Sequence, residues 1–392
     1  SIMHDAIHGS YSKHKFINKI LGEVINFVGG ASINWKIQHN VLHHTYTNIE
    51  EYDHDLDAPW ILRFSPNQKK LKLHKYQYIY AWLIYCLLTL NWATYKDFDS
   101  ILKYKKMGLI GGGKNQFAIE LTKIILTKII YFTFILFLPL YFGSASTVIV
   151  LTGFLIMHLI AGFILSCIFQ PAHVMEVCEF PTADIDNIIK EDWATHQILN
   201  TVNFAPKNKL ISWFAGGLNF QIEHHLFPNI CHIHYKDISK IVEQTAKEHG
   251  LPYFVCPTFR SALFRHGKML KKLGAELIEV EAVPYSNPNN YIKKSKKIAE
   301  DLNKNDKNGV YWANQFDNTI NTESHVETTA REIWNQTDGK IDAFTCAVGT
   351  GGTLAGVSIG LKEKNKNIKI ALSDPMGSSL YSYIKDKKLI SN

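Results

Sequence analysis

Two apolar stretches interrupt the alternation of apolar and polar positions along the chain. Ile124 to Phe142 carries one charged residue, Lys128, and Thr147 to Phe169 carries no Asp, Glu, Lys or Arg. Neither shows the polar stripe of a surface helix, and each approaches the about 20 residues needed to cross about 30 Å of hydrocarbon. The short FGSAST connection predicts a transmembrane hairpin. A third apolar run, Tyr78 to Tyr95, contains Asn91 and many Tyr and Trp residues, which suits the membrane interface as well as a span. From about residue 268 the pattern changes: Lys, Asn and Glu become frequent and the chain reads as soluble. A mean hydropathy near zero therefore averages over two different solvents.

Within the apolar part, polar chemistry concentrates in three clusters: His4 and His8 in HDAIH, His39, His43 and His44 in HNVLHH, and Gln221, His224 and His225 in QIEHH. Spacings of i, i+4 or i, i+3, i+4 turn such side chains to one helix face, and imidazole is a ligand for iron, zinc and copper. Taken singly, His14, His74, His158 and His266 read as ordinary polar residues. The clusters do not, because imidazoles packed this densely would repel when protonated and cost desolvation when neutral. A metal removes both problems. The hairpin between the second and third clusters returns the chain to the side it left, so all three can share one face of the membrane. Lys69, Lys70, Lys72, Lys103, Lys105 and Lys106 before it, with Lys207 and Lys209 after it, predict that this face is cytoplasmic.

The remaining composition narrows the picture. At 392 residues the chain is long enough for two domains, and 46% apolar with 12% aromatic residues excludes a disordered protein. The net charge of +7 is met by a basic membrane-proximal surface, and with no recognition motif in the sequence a nucleic-acid partner is not expected. Six cysteines without a CxxC pair agree with a reducing compartment. The chain opens at Ser1, three residues before its first candidate ligand, so a missing amino terminus is expected.

MHDAIHGSYS, QHNVLHHTYTN and GGLNFQIEHHLFP resemble, in order, the three histidine boxes of the membrane fatty acid desaturases, with the hairpin between the second and third. Gln221, where many members have histidine, resembles the front-end desaturases, which act between an existing double bond and the carboxyl end; a bacterial acyl desaturase of other regiochemistry fits equally. The resemblance covers about residues 1–270 and implies a mainly α, integral-membrane oxidoreductase with a non-haem centre of two Fe. Such an enzyme uses O2 to remove two hydrogens from an acyl chain carried as acyl-CoA or acyl lipid. It implies His4, His8, His39, His43, His44, His224 and His225 as metal ligands, His173 in FQPAHVMEV as an extra ligand and Gln221 as a weak or water-mediated one. Asp5, Glu223 and Asp55 are candidates to orient the imidazoles, and Trp193, His196, Gln197 and Thr201 in DWATHQILNT resemble a stretch near the acyl path. No haem-binding HPGG-like motif or flavin fingerprint occurs, so electrons are expected from an external donor such as cytochrome b5 or ferredoxin. Soluble carboxylate di-iron bundles use two Glu-x-x-His motifs. A single such spacing, Glu51 to His54, argues against that type. Membrane hydroxylases and ketolases share the boxes and remain the alternative chemistry.

A second resemblance covers about residues 271–392. GAELIEVEAVPY, YWANQFDNTINTESHVETTAREIW, DAFTCAVGTGGTLAGVSIGLK and IALSDPMGSSLY are similar, in order, to a cysteine synthase dependent on pyridoxal phosphate. This implies a partial α/β fold type II domain of the tryptophan synthase beta-like class. Gly349, Thr350, Gly351, Gly352 and Thr353 form a turn that opens a helix, whose backbone N–H groups can cradle a phosphate. The segment that supplies the family's Schiff-base lysine is replaced here by desaturase-like sequence, and the chain stops at Asn392. This part is therefore expected to fold incompletely and to be inert. MLKKLGAELIEV runs through the junction without a polar linker, which predicts a chimera of two incomplete genes in preference to a bifunctional protein.

Overall fold

The computed structural model describes residues 2–57, 60–113, 115–183, 188–276, 278–304, 309–375 and 378–388. It divides into two compact units, Ser1–Glu276 and Leu277–Asn392. The first is helical. Its site-bearing elements are α1 (Ile2–Ile7), α2 (32–46, π-wound over Lys36–His43), α3 (Gln77–Tyr85), α4 (Gln116–Phe142), α5 (Thr147–His173), α6 (Trp193–Asn200), α7 (Gln221–Leu226) and α8 (Phe259–Gly274). A short parallel pairing of β1 (Asn203–Phe204) with β2 (Val255–Cys256) ties the segment after α6 to the segment before α8.

The hairpin is α4 and α5, each 27 residues long. At about 1.5 Å per residue each reaches about 40 Å, enough to cross a bilayer. Only 17% and 11% of their most apolar windows are buried, which sets them apart from core helices of a soluble protein. The Ser146 hydroxyl accepts from Ile149 N–H and caps α5. Both helices run past the apolar stretches in the sequence, α4 starting at Gln116 and α5 ending at His173. The extra turns carry polar residues, Gln116, Glu120 and Lys123 in α4 and Gln170 and His173 in α5.

The run Tyr78–Tyr95 is not one long helix. α3 stops at Tyr85, a second short helix covers Leu88–Asn91, and π-turns follow at Trp92–Lys96. Gly162 of α5 lies against this break, where a Cβ would stand 2.5 Å from the Cys86 carbonyl oxygen. Lys128, the charge inside the apolar stretch of α4, is buried and fully engaged. Its amine donates to the Gly29 and Trp92 carbonyls and, at 2.5 Å, to Asp97. The other Asp97 oxygen accepts from Asn34 at 3.0 Å, so this network joins the span to the start of α2.

α8 completes the first unit. Thr258 and Ser261 cap its start reciprocally, and Met269, Leu270 and Leu273 pack with Leu56, Leu62, Phe64, Tyr85 and Val174. Gly274 approaches so closely that a Cβ would sit 2.1 Å from the His74 carbonyl oxygen. The compact division therefore falls at Glu276, beyond the 270/271 boundary expected from sequence.

In the second unit β3 (Ala343–Ala347) and β4 (Lys369–Ser373) pair in parallel, with α9 (Gly352–Lys364) as the crossover. Ala330, Val357, Leu361 and Ile368 form its small core. This is a βαβ unit, in line with the partial α/β fold. Leu277, Met376 and Gly377 of the quoted motifs lie outside the described residues.

Candidate metal centre

α1, α2, the end of α5 and α7 bring eight histidines into one buried cluster. His4 and His8 stand one α-turn apart, the His8 amide bonding the His4 carbonyl. The second set is built differently from the α spacing expected. α2 is π-wound, and the His44 N–H reaches back five residues to His39. That widened turn brings the His39 and His44 rings together edge to face, with their Nε2 atoms 3.4 Å apart. π-turns inside helices are frequent at functional sites.

The nitrogens converge. Ligand atoms of His4, His8, His39 and His224 lie within 4.8 Å of one another, as do those of His43, His173 and His225, and of His44, His224 and His225. His4 Nε2 is 3.0 Å from His39 Nε2, and His44 Nε2 is 3.0 Å from His224 Nε2. All eight rings are buried. His173, placed from resemblance alone, sits with its ring 4.6 Å from that of His43 and 4.8 Å from that of His225.

The opposite nitrogens of four rings are anchored, whereas Nδ1 of His4 and of His44 has no hydrogen-bond partner among the described residues. His43 Nδ1 donates to Asp53 at 3.0 Å, His225 Nδ1 to the Gln197 side-chain oxygen at 2.8 Å, and His173 Nδ1 to the Asn200 carbonyl at 3.3 Å. His224 Nδ1 lies 3.3 Å from the Tyr235 hydroxyl. A proton held on Nδ1 leaves the Nε2 lone pair free, the arrangement that metal-binding histidines use. His8 Nε2 and His225 Nε2 are buried without a hydrogen-bond partner among the described residues. Such orphaned lone pairs, directed into a group of lone pairs, fit a metal and fit nothing apolar.

Protonation agrees with this arrangement. Burial, reinforced by neighbouring imidazoles, holds His8, His44, His224 and His225 well below the ordinary histidine value. Burial also takes His4 down to about 4, although Asp5 opposes it. His43 is the exception: burial lowers it, but Asp53 and Asp55 outweigh burial and raise it to about 9, so the metal-free ring holds both protons near neutral pH and a metal must displace one of them.

The expected orienting residues divide. Asp5 lies 3.9 Å from His4 Nδ1 and 2.5 Å from His232 Nδ1, and Asp55 lies 3.7 Å from His39 and 3.4 Å from His43. Glu223 turns away to Tyr253 and Asn203, at 2.8 Å each, because its place on α7 faces the opposite side from His224 and His225. Sequence reading missed Asp53, the carboxylate nearest His43. Its signal was the Asp53-x-Asp55 pair ten residues after the second cluster. DWATHQILNT also takes another place than expected. Trp193 donates to the His44 carbonyl, Gln197 holds His225, and none of Trp193, His196, Gln197 or Thr201 lines the cavity.

That cavity has a volume of about 340 Å³. His39, His43, His173, Gln221 and His224 form part of its wall, while Leu62, Phe64, Tyr85, Leu88, Trp92 and Phe169 supply apolar surface. The Gln221 amide nitrogen is committed to the Leu218 carbonyl at 2.7 Å.

In the second unit, Gly351 has φ of +85° and precedes α9. Nothing lies within 4 Å of a Cβ built on Gly349 or Gly351, so the backbone there is open to a phosphate. Thr350 accepts from Asn321 at 2.9 Å, which fixes the turn.

Comparison with known proteins also finds two families, whose matches overlap at residues 245–257 instead of meeting at Glu276. Residues 1–257 match the family Fatty acid desaturase, and residues 245–389 match the family Pyridoxal-phosphate dependent enzyme. The sn-1 linoleoyl-lipid 6-desaturase of Synechocystis sp. is 37% identical over 276 residues, 70% of this chain and 76% of that protein. The enzyme of the same name from Arthrospira platensis is 35% identical, covering 70% and 73%. The acyl-lipid (8-3)-desaturase of Physcomitrium patens is 38% identical, covering 70% of this chain and 57% of that protein.

Proposed function

We propose that this chain, which belongs to the fatty acid desaturase family, inserts a double bond into an acyl lipid at a di-iron centre held by His4, His8, His39, His43, His44, His173, His224 and His225. The observation that carries the reading is the convergence of eight buried imidazoles, three of which, His43, His173 and His225, have the outer nitrogen tied to a protein acceptor. Neutral ligands leave bound cations strongly electrophilic beside an apolar substrate. Two irons, when bound, would supply the O2 chemistry that takes one hydrogen from each of two neighbouring methylenes. The overall balance consumes one O2, two electrons and two protons and yields two waters, so an external donor such as cytochrome b5 or ferredoxin is needed. The names of the relatives support an acyl lipid as substrate class and a bond placed towards the carboxyl end.

The chain's own residues place and enclose. The cavity wall of Leu62, Phe64, Tyr85, Leu88 and Phe169 excludes water and aligns methylenes with the histidine wall. Asp53, Gln197 and the Asn200 carbonyl hold the rings so that Nε2 points inward. α4 and α5 anchor the site to the bilayer, and the lysines flanking them support a cytoplasmic orientation. For the second unit, residues 349–353 would receive the phosphate of pyridoxal phosphate, with no catalysis expected from it.

The test is expression in a host fed labelled acyl lipids, with iron counted per chain and products analysed by mass spectrometry. About two irons and an olefin confirm the reading. Hydroxylated product would move the chain to the hydroxylase class, and an iron-free chain would overturn the metal assignment.

A further inference from the structure

His266 lies beyond the residues that match the desaturase family, yet it is completely buried and bonded at both nitrogens. Its Nδ1 is 2.8 Å from the Val174 carbonyl, and its Nε2 is 2.6 Å from the Tyr85 hydroxyl. A carbonyl accepts only, so Nδ1 carries the proton, Nε2 accepts, and the Tyr85 hydroxyl donates. Every proton in this pair of bonds is thereby assigned. Tyr85 and Val174 both line the cavity, and Val174 directly follows His173 at the end of α5. His266 thus spans from one wall of the cavity to the turn that carries a candidate metal ligand.

The bracket is itself immobilised. Trp82 packs edge-on to the His266 ring with centroids 5.9 Å apart, and Tyr85 stacks on it at the same distance. α8 cannot slide, because Gln77 donates to the Leu270 carbonyl at 2.9 Å, Arg63 donates to the Leu273 carbonyl at 2.7 Å, and Gly274 abuts His74. These contacts are more than burial of a helix needs. They fix a distance between a substrate wall and the metal cluster.

We propose that His266 is a positioning residue that decides which methylenes of the acyl chain stand beside the metal centre, by locking Tyr85 and the Val174 turn in one relative placement. The inference rests on the acyl-desaturase reading above. An acyl chain in an apolar cavity has few polar handles, so its register depends on where the walls stop it. A shift of about 1 Å in a wall is of the order that changes reactivity about a hundredfold at a given position.

Three substitutions test it in the full-length, iron-loaded protein. His266→Phe keeps the ring and removes both bonds. Tyr85→Phe keeps the wall and removes only the hydroxyl. His266→Gln retains one donor and one acceptor and serves as rescue. With iron content unchanged, the first two are expected to move about a tenth or more of the product to a neighbouring double-bond position, and the third to restore a single position. Unchanged positional purity in Tyr85→Phe and in an iron-loaded His266→Phe overturns the proposal. If His266→Phe fails to fold, Tyr85→Phe decides. A second readout needs no turnover: a doxyl-labelled stearate bound to the metal-free protein should tumble more freely in Tyr85→Phe by electron spin resonance, and equal mobility in the two proteins counts against the bracket. Absence of any olefin from the wild type would instead overturn the desaturase reading and leave the spin-label comparison to judge His266.

Discussion

Asp53→Asn isolates what a carboxylate contributes to a histidine it never lets go. One Asp53 oxygen accepts from His43 Nδ1 at 3.0 Å and from the Asp55 N–H at 2.9 Å, and the other accepts from His43 Nδ1 at 3.1 Å and from the Asn48 N–H at 2.8 Å. An asparagine of the same shape must put its NH2 at one of these places, and a backbone N–H already points at each. One donor is therefore stranded in a site where Asp53 is 2% exposed. A stranded buried donor costs about 1–3 kcal/mol. Loss of the partner that orients a metal-binding imidazole typically costs about 10–100-fold in metal affinity, or about 1.4–2.8 kcal/mol. The assay is competitive titration of the metal-free protein with Fe(II) against a chromophoric chelator, with iron per chain counted after desalting. The variant should lose that affinity for the metal nearest His43, grouped with His173 and His225, and keep it for the metal nearest His4, His8, His39 and His224, with His44 lying close to both His224 and His225. Two irons bound at wild-type affinity would refute the argument, as would equal loss at both sites.

Gln197→Leu should weaken the same site by a similar factor, since the substitution removes the Gln197 oxygen that accepts from His225 Nδ1, while the Thr47 hydroxyl keeps its bond to the His43 carbonyl; the chelator titration reads it. Lys128→Met should destabilise the protein by about 3–5 kcal/mol by leaving Asp97 buried and unpaired, whereas Lys128→Met with Asp97→Leu should recover much of that loss in a detergent melt. The pH dependence of the metal-free protein has two arms. His43 titrates in the folded state at about 9, above its unfolded value of 6.5, so its contribution is complete below about 6.5 and is lost as pH rises through 9. His4, lowered to about 4, contributes above 6.5 and loses that contribution as pH falls towards 4, with His8, His44, His224 and His225 acting in the same direction. Thermal melts of the metal-free chain should peak near pH 6.5, and a monotonic profile would contradict the assignment. Pyridoxal phosphate added to the full chain should give no absorbance that borohydride abolishes, since the second unit is expected to lack the lysine for covalent attachment.

The hairpin was legible because hydrophobicity over about 20 residues is a local property that a bilayer reads directly. The three histidine clusters were legible because ligand chemistry demands residue types, and their order around the hairpin already placed them on one face. The change in composition after residue 268, and the glycine-rich turn at Gly349–Thr353, were equally local. What tertiary structure decided is everything that depends on partners distant in sequence. The π-winding of α2 brings His39 against His44, and nothing in HNVLHH distinguishes it from an α-turn. Glu223 left its expected role and Asp53, for which none was expected, took one, because a carboxylate's partner is fixed by which element packs beside it, with Tyr253 and Asn203 facing the first and His43 the second. His266 read as an ordinary polar residue, and only the packing of α8 against α3 and the end of α5 brings its two nitrogens to Tyr85 and Val174. Sequence specifies which groups can bind a metal or a lipid; the fold supplies the distances at which they do so, because hydrogen bonds and coordination act over about 3 Å and only packing brings remote residues that close.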